Sequence, residues 1–291
     1  MSGTTTAARA RLPRTVLRVH RTALIVWGAF VTGLIGWLVW LNERTVDSVR
    51  AAEAACSRGP WTCVDLIEAL RYSEPTGYVG FLTCYGFLAV AAFTGGALIG
   101  RELESRTARL AWTQGVTPTR WLAAKLTVPA LALVLGGTAL VLAFRWGWAA
   151  HRDLMGDHWS FADVFVARGP ASVAYALCAL AVGTLIALLL RRALPALAVS
   201  VAAMWLLNLV LERCRPALWP SVTRTSPQPF ELPDNVWQRE WGRTATGDHY
   251  ATYHPASHFW PLHLVETGIV LAVAVLATAA AFAVLRRRTA F

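Results

Sequence analysis

The stretch Thr22–Leu41, TALIVWGAFVTGLIGWLVWL, decides the fold class. It carries no charge and is long enough, as an α-helix, to cross the ~30 Å hydrocarbon layer of a membrane. Five further apolar runs follow it, over about 78–100, 126–144, 171–190, 193–211 and 264–285. The sequence therefore predicts an all-α, polytopic membrane protein with six transmembrane helices, built as a single domain over residues 1–291.

The composition agrees with a membrane protein. Of the 291 residues, 56% are hydrophobic and 15% are charged, whereas about 25% charged is usual for soluble domains. The termini and the even-numbered turns carry 15 basic and two acidic residues, and the opposite side carries 12 basic and 15 acidic residues. Because basic residues flank spans on the cytoplasmic side, we expect both termini in the cytoplasm and the chain in the plasma membrane. The positive charge borders the lipid bilayer, which argues against a nucleic-acid partner.

The N-terminal residues predict an amphipathic helix. From Arg11 onward, apolar residues such as Leu12 and Val16 alternate with arginines at helical spacing. A basic helix of this kind lies in the membrane interface, with its apolar side towards the lipid. The alternative is a basic flank that only fixes the orientation of the first span.

Two cysteines lie in the polar stretch after the first span, in the sequence CSRGPWTC. If this stretch faces an oxidising compartment, Cys56 and Cys63 could form a disulfide. Spacing alone does not show that their Cα atoms come close enough, so two free thiols remain the alternative.

A few polar residues fall within or beside the last two spans. Asn208 and Glu266 are candidates for the translocation path or an outer gate, because ionisable and polar groups at membrane depth are often functional. The alternatives are a helix–helix hydrogen bond for Asn208 and a wet interfacial carboxylate for Glu266. His254 and His258 are spaced as metal ligands can be, but Pro255 pushes His254 out of helical geometry, and we predict no metal site. They belong to a long outer loop, 212–263, rich in tryptophan.

The longest polar segment on the basic side is Arg101–Lys125, RELESRTARLAWTQGVTPTRWLAAK. Glu102 and Arg106 form an i,i+4 pair on a helix that we expect to continue to Trp112. Gly115 suits a helix end, and Thr117 followed by Pro118 suits a helix start. The segment therefore predicts helix, turn and helix. It also holds apolar residues that a purely solvated loop, the alternative interpretation, does not need.

This segment resembles the inner loop of ABC-transporter permeases of the second exporter class. The sequence YHPASHFWPLHLVETG, at 253–268, is similar to a subgroup of them common in actinobacteria. The residues that carry the first resemblance are Glu102, Glu104, Thr107, Gly115, Thr117, Arg120 and Lys125.

The resemblance implies a permease that pairs with a second permease copy or paralogue and with two cytoplasmic ABC ATPase subunits. ATP and Mg would bind those ATPases, and this chain, which has no Walker motif, would hold no cofactor and would not be an enzyme. The segment would form a cytoplasmic coupling helix, and the long outer loop would carry short re-entrant helices. The residues that we expect to dock with the ATPase are Glu102, Glu104, Arg106, Arg109, Trp112 and Arg120.

The function that we expect is therefore the membrane-spanning permease of an ATP-driven ABC exporter, with an unidentified exported substrate. Two alternatives come from other classes. One is an intramembrane enzyme that uses Glu266 with His254 or His258. The other is an accessory or sensor membrane protein without transport activity.

Overall fold

Six long apolar helices form the body of the protein. The computed structural model describes residues 4–56, 66–152, 158–233 and 235–289, with side chains described from residue 21 onward except in 52–53, 55–56, 66–71 and 289. The helices that are long and apolar enough to cross a membrane are Arg21–Ala51, Tyr72–Glu104, Pro118–Ala150, Ala171–Leu190, Ala193–Ala217 and Ala256–Arg288. The predicted six-span architecture is confirmed.

The helices of the first half are longer than the apolar runs that predicted them, because backbone hydrogen bonding continues past the apolar residues. The sequence predicts a loop over 42–77, but residues 42–56 and 66–77 of this stretch are helical. In chain order the elements are α1 (Thr4–Trp40), a π-helix (Leu41–Thr45), α2 (Val46–Cys56), α3 (Leu66–Phe93), a second π-helix (Thr94–Gly100), α4 (Arg101–Glu104), α5 (Thr107–Thr113) and α6 (Pro118–Ala150).

The second half holds three further spans and a small sheet. The elements are α7 (Ala162–Ala167), α8 (Ala171–Leu190), α9 (Ala193–Cys214), a 3-10 turn (Arg215–Ala217), β1 (Val222–Ser226), β2 (Trp237–Arg243), β3 (His249–His254), a second 3-10 turn (Ala256–His258) and α10 (Phe259–Thr289). Arg191 and Arg192 alone connect α8 to α9, as predicted. Arg191 takes the left-handed conformation, with φ 55°, to make this tight turn.

The N-terminal helix is present but is not separate from the first span. The backbone of α1 is helical from Thr4 to Trp40 without interruption, so the predicted amphipathic stretch runs directly into the span. Its position at the membrane interface stays a prediction.

The long loop before the last span folds as a three-stranded antiparallel sheet in the order β1-β3-β2. Val222 pairs with Tyr253 and Trp237 pairs with His254, and the β2–β3 register shifts between Gln238 and Glu240. The re-entrant helices implied by the resemblance are therefore wrong for this part of the loop. The strands are rich in threonine, tyrosine and tryptophan, which favour the pleated conformation. We call this end of the helix bundle the sheet end, and the opposite end, with Arg101, Arg191 and Arg288, the basic end.

Helix α8 is the centre of the bundle. In its apolar window 56% of the residues are buried, against 17–44% in the other five spans. It packs against α10, α3, α9 and α6. Its buried residues are mostly small, such as Ala174, Ala179 and Gly183, and small residues let several helices approach one axis closely.

The glycine-rich end of the second span makes the closest helix contact. A Cβ added at Gly95 would lie 2.5 Å from Ser200 Oγ and 2.7 Å from the backbone oxygen of Ala196 in α9. The GGALIG run, residues 95–100, therefore joins the second span closely to the fifth.

Candidate functional site

The segment Arg101–Lys125 lies at the basic end and contains two turns where the sequence predicted one. α4 stops at Glu104, and Arg106 adopts a left-handed conformation with φ 59° before α5 begins. Around this break, the Thr107 hydroxyl donates to the carbonyl of Glu102 at 3.3 Å. Such side-chain bonds compete with the helical ladder, and the continuous helix expected to Trp112 is therefore wrong.

The second turn agrees with the sequence. Gly115 has φ +89°, a conformation in which glycine carries no steric penalty. Thr117 caps α6, because its Oγ1 accepts the N–H of Arg120 at 3.4 Å, and Pro118 is the first helical residue.

Glu102 connects the segment to the third span. Lys125 Nζ lies 2.5 Å from Glu102 Oε1, and the Trp121 indole N–H donates to Glu102 Oε2 at 3.3 Å. Lys125 is 7% exposed. The predicted Glu102–Arg106 pair is therefore wrong: the left-handed turn breaks the helix on which it depended, and Glu102 contacts α6 instead.

Glu104 connects the segment to the fifth span. Its Oε2 accepts the backbone N–H of Ala193, the first residue of α9, at 2.8 Å. A carboxylate at this place satisfies one of the unpaired N–H groups of a helix start and interacts favourably with the helix dipole. The sequence gave no sign of this contact, because the two residues are 89 positions apart.

Aromatic packing supplies the third connection. The rings of Trp112 and Trp121 meet edge to face with their centroids 5.8 Å apart, and Ala108 beside them is 1% exposed. The apolar residues noted in the sequence therefore pack largely inside the chain. Leu110 is the exception, with 60% of its surface exposed.

The six predicted docking residues thus separate into two groups. Glu102 and Trp112 are half-buried and contact their own chain, and Glu104 is exposed but binds the N–H of Ala193. The arginines Arg106, Arg109 and Arg120 are exposed. The two acidic residues hold the segment in place, whereas the basic residues and Leu110 are available to a partner.

A second polar cluster is buried towards the sheet end. Arg215 Nε lies 2.6 Å from Glu266 Oε2, its Nη2 lies 3.0 Å from Oε1, and the Tyr175 hydroxyl donates to Oε1 at 2.9 Å. Glu266 is 0% and Arg215 is 2% exposed. The interpretation of Glu266 as a wet interfacial carboxylate is wrong, because α8 and the start of α10 enclose it.

Arg215 was missed by sequence reasoning. It lies four residues beyond the predicted end of the fifth span and was counted as a loop charge. A signal was available, since a carboxylate inside an apolar run needs a cationic partner. Arg215 also lies over the ring of Phe165, 4.3 Å from its centroid. Asn208, one and a half turns before the end of α9, is 3% exposed and also points into the bundle.

His254 and His258 contact each other and not Glu266. Their Nδ1 atoms are 3.1 Å apart, and the Nε2–H of His254 donates to the carbonyl of Pro216 at 3.0 Å. Burial lowers the pKa of His254, and the bond to Pro216 opposes this effect. No recorded hydrogen bond or ion pair within the described ranges joins either histidine to Glu266.

In the part of the chain that is described, no group of three or more His, Cys, Asp or Glu side chains is arranged to hold a metal ion. Cys63 and the side chain of Cys56 lie outside the described residues, so their pairing stays a prediction.

The six apolar helices define a multi-pass integral membrane protein. Residues 28–215, well over half of the chain, match the family model "ABC-2 membrane transporter related". The chain therefore belongs to the ABC-2 membrane-transporter-related family, as the resemblance of Arg101–Lys125 suggested. Permeases of this family generally work with ABC ATPase partners. Comparison with curated proteins and with solved structures gave no match.

The matched range begins in α1 and ends at Arg215. It includes the Arg101–Lys125 segment and five spans, and it stops before the sheet and α10. The family assignment therefore rests on the part of the chain that holds the candidate site at the basic end.

Proposed function

We propose that this chain is the permease subunit of an ATP-driven exporter of the plasma membrane, with the basic end and both termini in the cytoplasm. It would form the translocation path as a dimer with a second copy or a paralogue. ATP hydrolysis would take place on separate ATPase subunits, which dock at Arg101–Lys125. The family supports transport, and the excess of basic residues at this end supports its cytoplasmic position.

One observation carries the proposal. Within the segment, α4 and α5 are held against the third span, α6, by the Glu102–Lys125 and Trp112–Trp121 contacts, and α4 is held against the start of α9 by the Glu104–Ala193 contact. It nevertheless exposes Leu110, a large apolar side chain. A docking element that transmits movement must be held firmly by the helices that move and must also offer a surface to the partner. The segment meets both requirements.

The connections define how movement would pass. ATP-driven closure of the ATPases would displace α5. Glu102 would carry the displacement to α6 through Lys125, and Glu104 would carry it to the start of α9. The path would open at the sheet end when these helices separate. Asn208 and Glu266, both buried in the bundle, are the residues that we propose for the path or its outer gate.

Replacement of one exposed side chain tests the docking surface. We expect Leu110→Asp to weaken co-purification of a partner ABC ATPase by about 30-fold, the effect of losing a central apolar anchor at an interface. The matched control is Arg287→Asp, which adds negative charge at the same end outside the segment. Equal ATPase recovery with the two variants would contradict docking at α5.

The rival functions give different results in the same preparation. A sensor or accessory protein predicts no co-purifying ATPase at all. An intramembrane enzyme predicts turnover by the chain alone, without ATP, that His254→Ala abolishes. The structure offers the enzyme little support, because both oxygens of Glu266 are engaged by Arg215 and Tyr175.

A further inference from the structure

A cavity of about 350 Å³ opens at the basic end. Its walls are α4 and α5, the tight turn between α8 and α9, and the last turn of α10. Five arginines and one carboxylate, that of Glu104, line it. The arginines are Arg106, Arg109, Arg191, Arg192 and Arg288. The volume lies within the range of small-ligand sites.

The positive charge in this cavity exceeds the negative charge of its one carboxylate. Among the described residues, the side chains of Arg106, Arg109, Arg191 and Arg192 have no ion-pair or hydrogen-bond partner. Glu104 is the acidic residue of the lining, and its carboxylate is bound to the N–H of Ala193. Four guanidinium groups are therefore available to one ligand.

The arginines also affect one another. Partial burial and the positive charges of Arg288 and Arg109 lower the pKa of Arg191. Arg288 is held in place by its donation to the carbonyls of Leu188 and Leu189, at 2.7 and 3.3 Å. An anion in the cavity would relieve this repulsion without any rearrangement of the helices.

We propose that this cavity binds the phosphate group of an anionic phospholipid. Phosphate oxygens match the forked geometry of arginine, which binds them through two parallel N–H bonds. The position favours a lipid over a free phosphate. The cavity lies where the apolar helices α8 and α10 end, with Leu188 and Leu285 in its lining, and a headgroup reaches this level from the bilayer. Basic pockets between transmembrane helices are known to hold anionic headgroups.

The test is retention of lipid by the full purified chain in native mass spectrometry. The probes are phosphatidylglycerol and phosphatidylcholine with identical acyl chains, each added to delipidated protein, and inorganic phosphate as competitor. The variant is R109Q/R191Q, which removes two arginines that line the cavity. Its matched control is R101Q/R287Q, which removes two exposed arginines of the same end that do not line it.

We expect one phosphatidylglycerol per chain, bound more tightly than phosphatidylcholine. Binding should weaken by about 30-fold in R109Q/R191Q, the loss of two arginine–headgroup attractions at a membrane surface, and little in the control. R109K/R191K, which keeps the charges, should recover much of the binding and shows that the fold tolerates change at both positions.

Three results would overturn the proposal. Equal loss in both double variants would mean attraction to the whole basic surface. Displacement of the lipid by millimolar inorganic phosphate, with equal retention of both lipids, would mean a site for a free phosphate compound. Unchanged lipid binding with loss of ATPase co-purification in R109Q/R191Q would mean that the cavity receives acidic residues of the partner.

Discussion

The buried Arg215–Glu266 pair is the contact whose disruption should affect the bundle most. Glu266→Gln keeps the shape of the side chain and an acceptor for Tyr175, but it leaves the Arg215 guanidinium without its counterion. Arg215 is 2% exposed, so water does not replace the lost partner. Removal of one member of such a pair costs about 3–5 kcal/mol of unfolding free energy.

The double variant separates the pair from its members. We expect Arg215→Met to be destabilising for the same reason, because it leaves the Glu266 carboxylate buried with the Tyr175 hydroxyl as its remaining donor. In R215M/E266Q neither charge remains, and replacement of a buried pair by uncharged groups is often close to neutral. The double variant should therefore be more stable than the sum of the single effects predicts, by about 2 kcal/mol or more.

The assay is reversible unfolding in mixed micelles of increasing SDS content, followed by circular dichroism. The matched controls are Glu212→Gln and Arg213→Met, at exposed positions in the last turn of α9 just before Arg215. They should shift the unfolding free energy by less than about 0.5 kcal/mol. Additive effects of the two single variants would refute the reasoning, because they would mean that the two charges do not depend on each other.

Three other results are expected. Gly95→Ala should destabilise the bundle by about 1–3 kcal/mol through overpacking, whereas Gly28→Ala, whose Cβ would have nothing within 4 Å, should not; equal SDS-unfolding curves would contradict the close approach. Burial lowers the pKa of His254, so the folded sheet favours the neutral imidazole. The contribution of this neutral imidazole to folding stability is therefore complete above about pH 6.5 and decreases as the pH falls towards the lowered pKa. The hydrogen-exchange protection factors of β3, which correct for the slower intrinsic exchange in acid, should therefore fall as the pH is lowered, and H254N should show a weaker pH dependence. If Cys56 and Cys63 are bridged, serine replacement should change mobility on non-reducing gels, and identical mobility would indicate free thiols.

Local chemistry was enough to predict the span pattern and several boundaries. An uncharged run of about 20 residues is stable in lipid as an α-helix, because a helix satisfies its own backbone hydrogen bonds. Thr117 and Pro118 predicted the start of α6, and Gly115 predicted the turn before it, since each acts through its own backbone conformation or an adjacent N–H. The Arg191–Arg192 turn followed from two charges between two apolar runs.

The contacts of the candidate site were beyond sequence reasoning, because they join residues far apart in the chain. Glu102 was assigned to Arg106, its neighbour on a helix, and instead contacts Lys125 across a turn. Glu104 contacts Ala193, and Glu266 contacts Arg215, over separations that no periodicity reports. In each case the sequence indicated the carboxylate but not the residue that it contacts.

The sheet before the last span was missed for another reason. A resemblance at 253–268 was extended to the shape of the whole loop, although β1 contains two threonines and β3 contains two tyrosines and a threonine, residue types that favour strands. The strand signal was therefore present in the sequence. Each strand is short and is stabilised by its place in a three-stranded sheet, in which β1 and β2 both pair with β3; no single segment reveals this pairing.

Helix α9 is fixed at both of its ends by charged contacts. Its first N–H is bound by Glu104, and the residue that follows its last turn, Arg215, is bound by Glu266. The helix has 22 residues and so measures about 33 Å. A rod of this length cannot pivot at one end while the other stays still unless it bends or one of the two contacts breaks. The two distant clusters therefore share a single mechanical element, and a tilt imposed at the basic end has to be accommodated at the sheet end.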